Sequence, residues 1–228
     1  MRCSCFVEVD GISLLIDAGP DLRTQALQAG IKQVDAVLIT HHHFDHVVGL
    51  DDLRPYFFGN SAPIPCYAHP DTADTLRSMF KYIFEDGSYP GVAKLEMHNA
   101  TKAFTASSRS DTGASVSVVP IPAFHGKMPI YGFRIGNFAY LTDTNCIPTE
   151  SRALLRGLDV LVLDALRHEP HRSHFTIAEA IAVVEDLAPR QTYFTHMTHS
   201  ILHAEEDQKL PNGMALGYDG LQFIAHEG

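Results

Sequence analysis

The sequence predicts a mixed α/β protein built on two mixed β-sheets covered by helices. Three observations predict it: the apolar runs are strand-sized, several strands follow one another through tight turns, and stretches of helical period separate the rest. At 45% hydrophobic and 19% charged, the composition is globular rather than disordered, collagenous or coiled-coil. A chain of 228 residues can bury a sizeable core, and a single domain over 1–228 is expected.

Strands are expected at 6–10 and 13–17, joined at Asp10-Gly11, a dipeptide suited to a two-residue hairpin turn. Gly19-Pro20 closes the second strand, Asp21 caps a helix through Gln28, and Gly30 stops it. The β-branched run 34–40 is a strand that delivers the chain into His41. Helices are expected at 50–58 and 71–84, flanking a short strand at 65–68. Val at alternate positions marks a strand at 115–120, and 131–142 forms a hairpin turning at Gly136-Asn137. A buried strand follows at 160–164. Ile177, Ala180, Ile181, Val184 and Leu187 have helical spacing, so 175–187 is a helix that ends before Pro189. Strands at 192–195 and 221–225 complete the order, and the Ser- and Thr-rich stretch 101–113 reads as a mobile loop.

Seventeen Lys and Arg against 27 Asp and Glu give a net charge of −10, which disfavours a broad basic surface for nucleic acid or anionic lipid. No apolar run approaches a membrane span and no cleavable leader opens the chain, so a cytoplasmic protein is expected. Cys3, Cys5, Cys66 and Cys146 are too few and too scattered for a disulfide scaffold and fit a reducing compartment. The 14 histidines nearly match the 17 Lys and Arg, and many sit at the ends of apolar runs. That is the first sign of metal chemistry.

Residues 40–46 read Thr-His-His-His-Phe-Asp-His, a His-x-His-x-Asp-His pattern between an apolar strand and Gly49. His41 and His43, two apart on an extended loop, can point to the same side, while Asp45 and His46 can reach a second point nearby. One short motif can thus feed two metal ions. The alternative is a histidine-rich surface loop that binds metal adventitiously. Three more polar residues at strand ends favour a site: His125 before Gly126, Asp143 after the second hairpin, and His196 after 192–195.

Taken in order, His41, His43, Asp45, His46, His125, Asp143 and His196 resemble the dinuclear ligand set of the metallo-β-lactamase superfamily. The resemblance implies an αββα sandwich, with His41, His43 and His125 on one metal, Asp45, His46 and His196 on the other, and Asp143 bridging. Within the superfamily the chain is similar to the phosphodiesterase branch, such as the cyclic-phosphate phosphodiesterase of phosphonate breakdown. That similarity covers nearly the whole chain, through residues 15–23, 141–144, 164–174, 195–199 and 218–220. β-Lactamases proper place Cys at the bridging position. Here Asp143 stands there, with Cys146 farther on, which argues against antibiotic hydrolysis.

Members of this branch usually open with a glycine-rich strand and a Cys-x-Cys-x-x-Cys cluster that can bind structural zinc together with the second His of Thr-His-x-x-His. Neither upstream element is found, so the domain is expected to start at the family's second strand. Cys3 and Cys5 with His199 could make a partial zinc site; the alternatives are reduced thiols in a strand and a His199 that supports the ligands from behind. His174, ahead of a helix, matches a branch histidine that lies beside the metals and contacts the phosphoryl group. An imidazole there suits protonation of a poor alkoxide leaving group, the alternative being helix capping. His168 and His171 are expected at the rim; His42, His69, His98, His203 and His226 are expected to be ordinary surface or structural residues.

No Gly-x-Gly-x-x-Gly or P-loop supports a nucleotide cofactor, and no Ser or Cys sits on a nucleophile elbow. The expected activity is hydrolysis of a small or cyclic phosphodiester by two divalent ions, zinc or manganese with iron as a third option, through a metal-bridging hydroxide. Asp45 and Asp143 would orient the hydroxide and His174 would serve the leaving group, so Asp45 and His174 are the catalytic candidates. A transfer-RNA 3′ processing endoribonuclease shares the ligand set but carries a basic or Gly/Pro-rich arm that is not seen here. A non-catalytic metal-binding scaffold usually lacks a ligand, and a glyoxalase-like thioesterase needs a helical domain longer than residues 197–228. The partners expected are a small phosphodiester substrate and, as an open option, a second copy in a homodimer. Neither a membrane nor nucleic acid is expected, the local cations being Arg54, Arg167 and Arg172.

Overall fold

The computed structural model describes residues 1–57, 62–85, 91–110 and 112–226, in two compact units, Met1–Val118 and Val119–Gly228. The first opens with strands β1 (Cys5–Val9) and β2 (Ile12–Ile16), paired antiparallel. Asp10 and Gly11 fill the turn at φ 50° and 78°, the left-handed geometry a two-residue hairpin needs. Helix α1 (Leu22–Ala29) stops at Gly30, whose left-handed backbone turns its N–H back onto the Ala26 and Leu27 carbonyls. Asp21 makes no side-chain cap there; its Oδ2 accepts from the Arg2 backbone N–H at 2.6 Å.

Strands β3 (Ala36–Leu38), β4 (Ile64–Ala68) and β5 (Leu95–Asn99) continue the sheet in parallel, in the order β1-β2-β3-β4-β5. Between them run α2 (Phe44–Val47), a 3-10 helix (Val48–Phe57), α3 (Pro70–Met79) and α4 (Lys81–Phe84). Val37, Ile39, Leu50, Leu53, Ile64 and Leu76 meet in the core of this unit. The 3-10 helix replaces the α-helix expected at 50–58, because Pro55 inside it has no N–H to give an α-helical ladder; residue 58 lies outside the described residues. The helix expected at 71–84 breaks at Phe80 (φ −107°, ψ 42°), and both Phe80 and Ile83 join the core. The stretch expected as a loop at 101–113 instead holds β6 (Phe104–Ser107), paired antiparallel with the start of β7 (Ser115–His125). Its Ser and Thr face solvent while Ala106 is buried, so the composition hid a half-buried strand; residue 111 lies outside the described residues.

β7 ends in the second unit, where β8 (Met128–Ile135), β9 (Phe138–Leu141), β10 (Val160–Asp164), β11 (Gln191–Thr195) and β12 (Met214–Leu216) give the order β12-β11-β10-β9-β8-β7. β8 and β9 are antiparallel, and β9 through β12 run parallel. Helices α5 (Thr149–Leu154), α6 (Ile177–Leu187) and α7 (His203–Asp207) accompany the sheet. α6 starts on a capping box: Thr176 Oγ1 accepts from the Glu179 N–H, and Glu179 Oε2 accepts from the Thr176 N–H. It packs Ile177, Ala180, Val184 and Leu187 against Leu161, Leu163 and Phe194.

The strand expected at 221–225 does not form. β12 already occupies the free edge of β11, pairing Met214 with Thr192, so the tail instead stacks Phe223 on Tyr193 with ring centroids 5.1 Å apart. Both sheets mix parallel and antiparallel pairs, as the run lengths predict. Among the described residues no helix is long and apolar enough to cross a membrane.

Candidate metal centre

In the first unit the donors follow β3. The chain leaves the sheet through Thr40, His41 and His43, and α2 then carries Asp45 and His46. His41 and His46 are fully buried, with the His41 ring centroid 4.3 Å from that of His46 and 4.6 Å from that of His43. Asp17, just past β2 at φ 61°, organises them. Its Oδ1 accepts from the Thr40 N–H at 2.9 Å, and its Oδ2 from the Thr40 hydroxyl at 2.8 Å and from His46 Nδ1 at 2.8 Å. With its proton committed to Asp17, Thr40 Oγ1 can only accept from His41 Nδ1, 3.0 Å away. Both histidines are therefore fixed in the tautomer whose Nε2 carries the lone pair, which is how a metal-binding imidazole is prepared. Asp45 Oδ2 lies 3.7 Å from His46 Nε2 and 3.4 Å from the Arg2 guanidinium.

Backbone contact holds this loop to the end of β2. Ala18 N–H donates to the His46 carbonyl at 2.7 Å and Gly49 N–H to the Ala18 carbonyl at 2.8 Å. The approach is so close that a Cβ at Gly19 would land on the Asp45 carbonyl oxygen, and one at Gly49 on that of Gly19.

In the second unit the donors again stand at strand ends: His125 closes β7, Asp143 follows β9 and His196 follows β11. Asp143 and His196 hold left-handed backbones at φ 53° and 62°. His125 Nδ1 donates to the Ser173 carbonyl at 3.0 Å, which leaves the lone pair on Nε2 here too. Asp143 Oδ1 accepts from the Thr142 hydroxyl at 2.9 Å and lies 3.2 Å from His196 Nε2. Asp164, fully buried at the end of β10, meets His174 Nδ1 at 3.1 Å and accepts from the Thr144 N–H at 3.1 Å. The His174 ring stacks on that of His196, 5.0 Å away and 10° from parallel, and meets that of His125 at 4.6 Å.

Asp143, Asp164, His174 and His196 each bring a ligand atom within 4.8 Å of the others. Burial, and after it the Asp143 carboxylate, pushes the Asp164 carboxyl well above its ordinary range. Two carboxylates crowded in a buried place beside two imidazoles form a donor set suited to a divalent cation.

Sequence reasoning passed over two of these residues. Asp17 and Asp164 each align a predicted histidine, and Asp164 also stands within the donor group itself. The available signal was an aspartate closing a fully apolar strand, a position that is costly unless it is hydrogen-bonded. The thiols fare differently: no three-donor group among the described residues includes Cys3 or Cys5, and burial pushes the Cys5 thiol up to about 12, away from the thiolate zinc requires. Arg54 pairs with Asp51 at 3.7 Å and Arg167 donates to the Glu169 carbonyl at 3.3 Å. His171 stands beside His174 with centroids 5.0 Å apart, while His69 caps α3 and His98 stacks on Tyr67.

Residues 13–197 match a family described as the β-lactamase superfamily domain. The chain belongs to the metallo-β-lactamase superfamily. A crystal structure of a new diphosphatase from the PhnP family shares 43% identity with this superfamily member at a TM-score of 0.86, over 97% of this chain and 82% of that one. The fold and the branch expected from the residues are thereby found. An octanoyltransferase of Porphyromonas gingivalis is 37% identical over 99% of this chain. The chain spans only 45% of that protein's length, and the name belongs to the whole. A ribonuclease Z of Mycobacterium marinum is 27% identical over 90% of this chain and 83% of its own.

Proposed function

We propose that this protein is a metal-dependent hydrolase of small phosphodiesters, cyclic ones among them. In this reading His41, His43, Asp45, His46, His125, Asp143 and His196 hold two divalent ions, with zinc, manganese and iron all chemically suited. The observation that carries it is the buried group of Asp143, Asp164, His174 and His196, which joins crowded carboxylates to a histidine outside the predicted ligand set. The 43% identity to a PhnP-family diphosphatase supports phosphorus chemistry in place of lactam chemistry. When bound, two such ions supply hydroxide at neutral pH and neutralise charge on phosphoryl oxygens.

The chain's own residues would do the rest. Asp164 holds His174 by Nδ1 and would stabilise its imidazolium form, in which Nε2 hands a proton to the departing ester oxygen. The stack on His196 limits rotation of the His174 ring. Asp143, fixed by the Thr142 hydroxyl, would act as an orienting acceptor, and Asp45 would act likewise. An alkoxide leaving group needs such a proton; the phosphate leaving group of a diphosphate needs it less.

The nuclease reading draws support from the ribonuclease Z similarity, but a net charge of −10 opposes it, since RNA binding rests on neutralising several phosphates. The test is an assay of metal-loaded protein on bis(p-nitrophenyl) phosphate, a cyclic nucleotide, a dinucleoside diphosphate and a precursor transfer RNA. Turnover of the diesters, with little binding to RNA at physiological salt, is expected. Cleavage of the diphosphate or the RNA alone, with diesters untouched, overturns the assignment.

A further inference from the structure

Asn145 lies two residues past Asp143 in the second unit, and its carboxamide reaches two segments far from it in the chain. Oδ1 accepts from the Gly126 N–H at 2.8 Å, and Nδ2 donates to the Arg172 carbonyl at 3.1 Å. A backbone N–H can only donate and a carbonyl can only accept, so both ends of the amide are assigned by their partners. An asparagine that merely shapes its own turn would bond to backbone about two residues on. This one spans 19 residues in one direction and 27 in the other. Its own backbone is fixed as well, because the Asn145 N–H donates to the Phe124 carbonyl at 3.1 Å and the Phe124 N–H to the Cys146 carbonyl at 3.0 Å. Beside this bridge runs a second. Gly126 follows His125 and Ser173 follows Arg172, and His125 Nδ1 donates to the Ser173 carbonyl at 3.0 Å. The two bridges are thus neighbouring rungs between the same pair of segments. They draw the segments close: Gly126 holds a left-handed φ of 64°, and a Cβ there would come within 3.4 Å of that of Ser173.

We propose that Asn145 is a positioning residue for His125. By clasping the turn after β7 to the segment 172–173, it keeps the Ser173 carbonyl in reach of His125 Nδ1. That commits the imidazole to the tautomer whose Nε2 lone pair is free for a metal. Without Asn145 the single rung from His125 to Ser173 has to hold turn and loop together unaided, and a neutral imidazole released from its acceptor populates both tautomers. The carbonyl of Arg172, not its guanidinium, takes part. The clasp also bears on His174, which follows Ser173 directly and whose ring centroid lies 4.6 Å from that of His125. That His125 then binds a metal rests on the proposed function; the hold on its ring can be read without metal.

The experiment takes the full chain with isotope-labelled histidine rings, at about pH 8 where imidazole is neutral, and compares the wild type with Asn145→Ala, Asn145→Asp and Arg172→Ala. Without metal, the ring-nitrogen chemical shifts of the wild type should show His125 as the Nδ1–H tautomer, and Asn145→Ala should move it to a mixture of both. Below the melting temperature, a general loss of stability would not move that signature. Zinc affinity, read by competition with a chelating dye, should fall about tenfold in Asn145→Ala, the lower end of what loss of a ligand's supporting contact costs. Asn145→Asp keeps the acceptor for Gly126 and loses the donor to Arg172, so the His125 ring should shift in the same direction. It carries the same readings should Asn145→Ala fail to fold. Arg172→Ala keeps the carbonyl and should leave the tautomer as in the wild type. An unchanged His125 tautomer in the Asn145 variants, or an equal shift in Arg172→Ala, overturns the proposal. So does a shifted tautomer with zinc affinity unmoved. A wild-type protein that takes up no divalent metal, while the tautomer still responds to Asn145, removes the metal reading and leaves the clasp standing.

Discussion

Asp17 touches Thr40 and His46 through both carboxylate oxygens, and everything it does depends on those oxygens being charged and fixed. Asn is the informative replacement, because it tolerates the φ of 61° and keeps the shape while removing the charge. Asp17→Asn should destabilise the fold by about 2 kcal/mol, as loss of hydrogen bonds to a buried charged group does. It should also weaken metal affinity by about 10- to 100-fold, because His46 loses the partner that sets its tautomer. Urea unfolding and a metal titration check the two halves separately. His174 makes a different prediction. His174→Ala should cut turnover of a diester with an alkyl leaving group by about 10² to 10⁴ while metal content persists, and a p-nitrophenyl ester should suffer less. An equal loss on both substrates would remove the proton-donor role. The candidate ligands were legible in the sequence as His and Asp residues placed at or just beyond the ends of apolar runs. Asp17 and Asp164 were not, because an aspartate shows nothing in sequence of which side chain it will hold.

Packing between the end of β2 and the start of α2 is set by backbone approach, so the tolerance of this region is decided at two glycines. Gly49→Ala would drive a methyl group into the Gly19 carbonyl, and neither atom belongs to a flexible side chain. We expect a loss of about 1–3 kcal/mol, the range for overpacking, with the loop of His41 to His46 displaced in the same event. Thermal melting together with the metal titration reads both. In the second unit, Asp159 at the entry to β10 pairs with Arg190 and accepts from the His226 N–H at 2.7 Å. The Arg190 guanidinium, and after it that backbone N–H, lowers the carboxyl to about 2. A depressed pKa stabilises the fold above the unfolded value of about 4 and is lost as pH falls through about 2. Asp159→Asn should therefore melt below the wild type at pH 7, with the gap closing towards pH 2. The helix α6 and the two hairpins were readable from local chemistry alone, through helical apolar spacing ahead of Pro189, Asp10-Gly11 and Gly136-Asn137. The 3-10 helix, the break at Phe80 and β6 were not, because each depends on which neighbour receives a side chain or completes a ladder.

For the whole molecule, crowded buried carboxylates mean that stability and metal supply should be coupled. Metal at 100 times its Kd adds about 2.7 kcal/mol to a protein that binds only when folded. At about 2–4 °C per kcal/mol for a chain of this size, chelation should lower the melting temperature by roughly 5–10 °C. Readdition of zinc or manganese should restore it, and a melt indifferent to chelator and metal alike would count against the metal reading. The sequence by itself determined the fold class, the order of most strands and which His and Asp side chains are candidate donors, because these follow from hydrophobic period, turn chemistry and residue type. Only the tertiary structure decided that β12 rather than the tail 221–225 closes the sheet edge, that His41, His46 and His125 are held by Nδ1 through Thr40, Asp17 and the Ser173 carbonyl, and that Asp164 holds His174 in the same way. Edge pairing and tautomer choice are competitions between partners far apart in the chain, and which partner wins is settled only once the strands are packed.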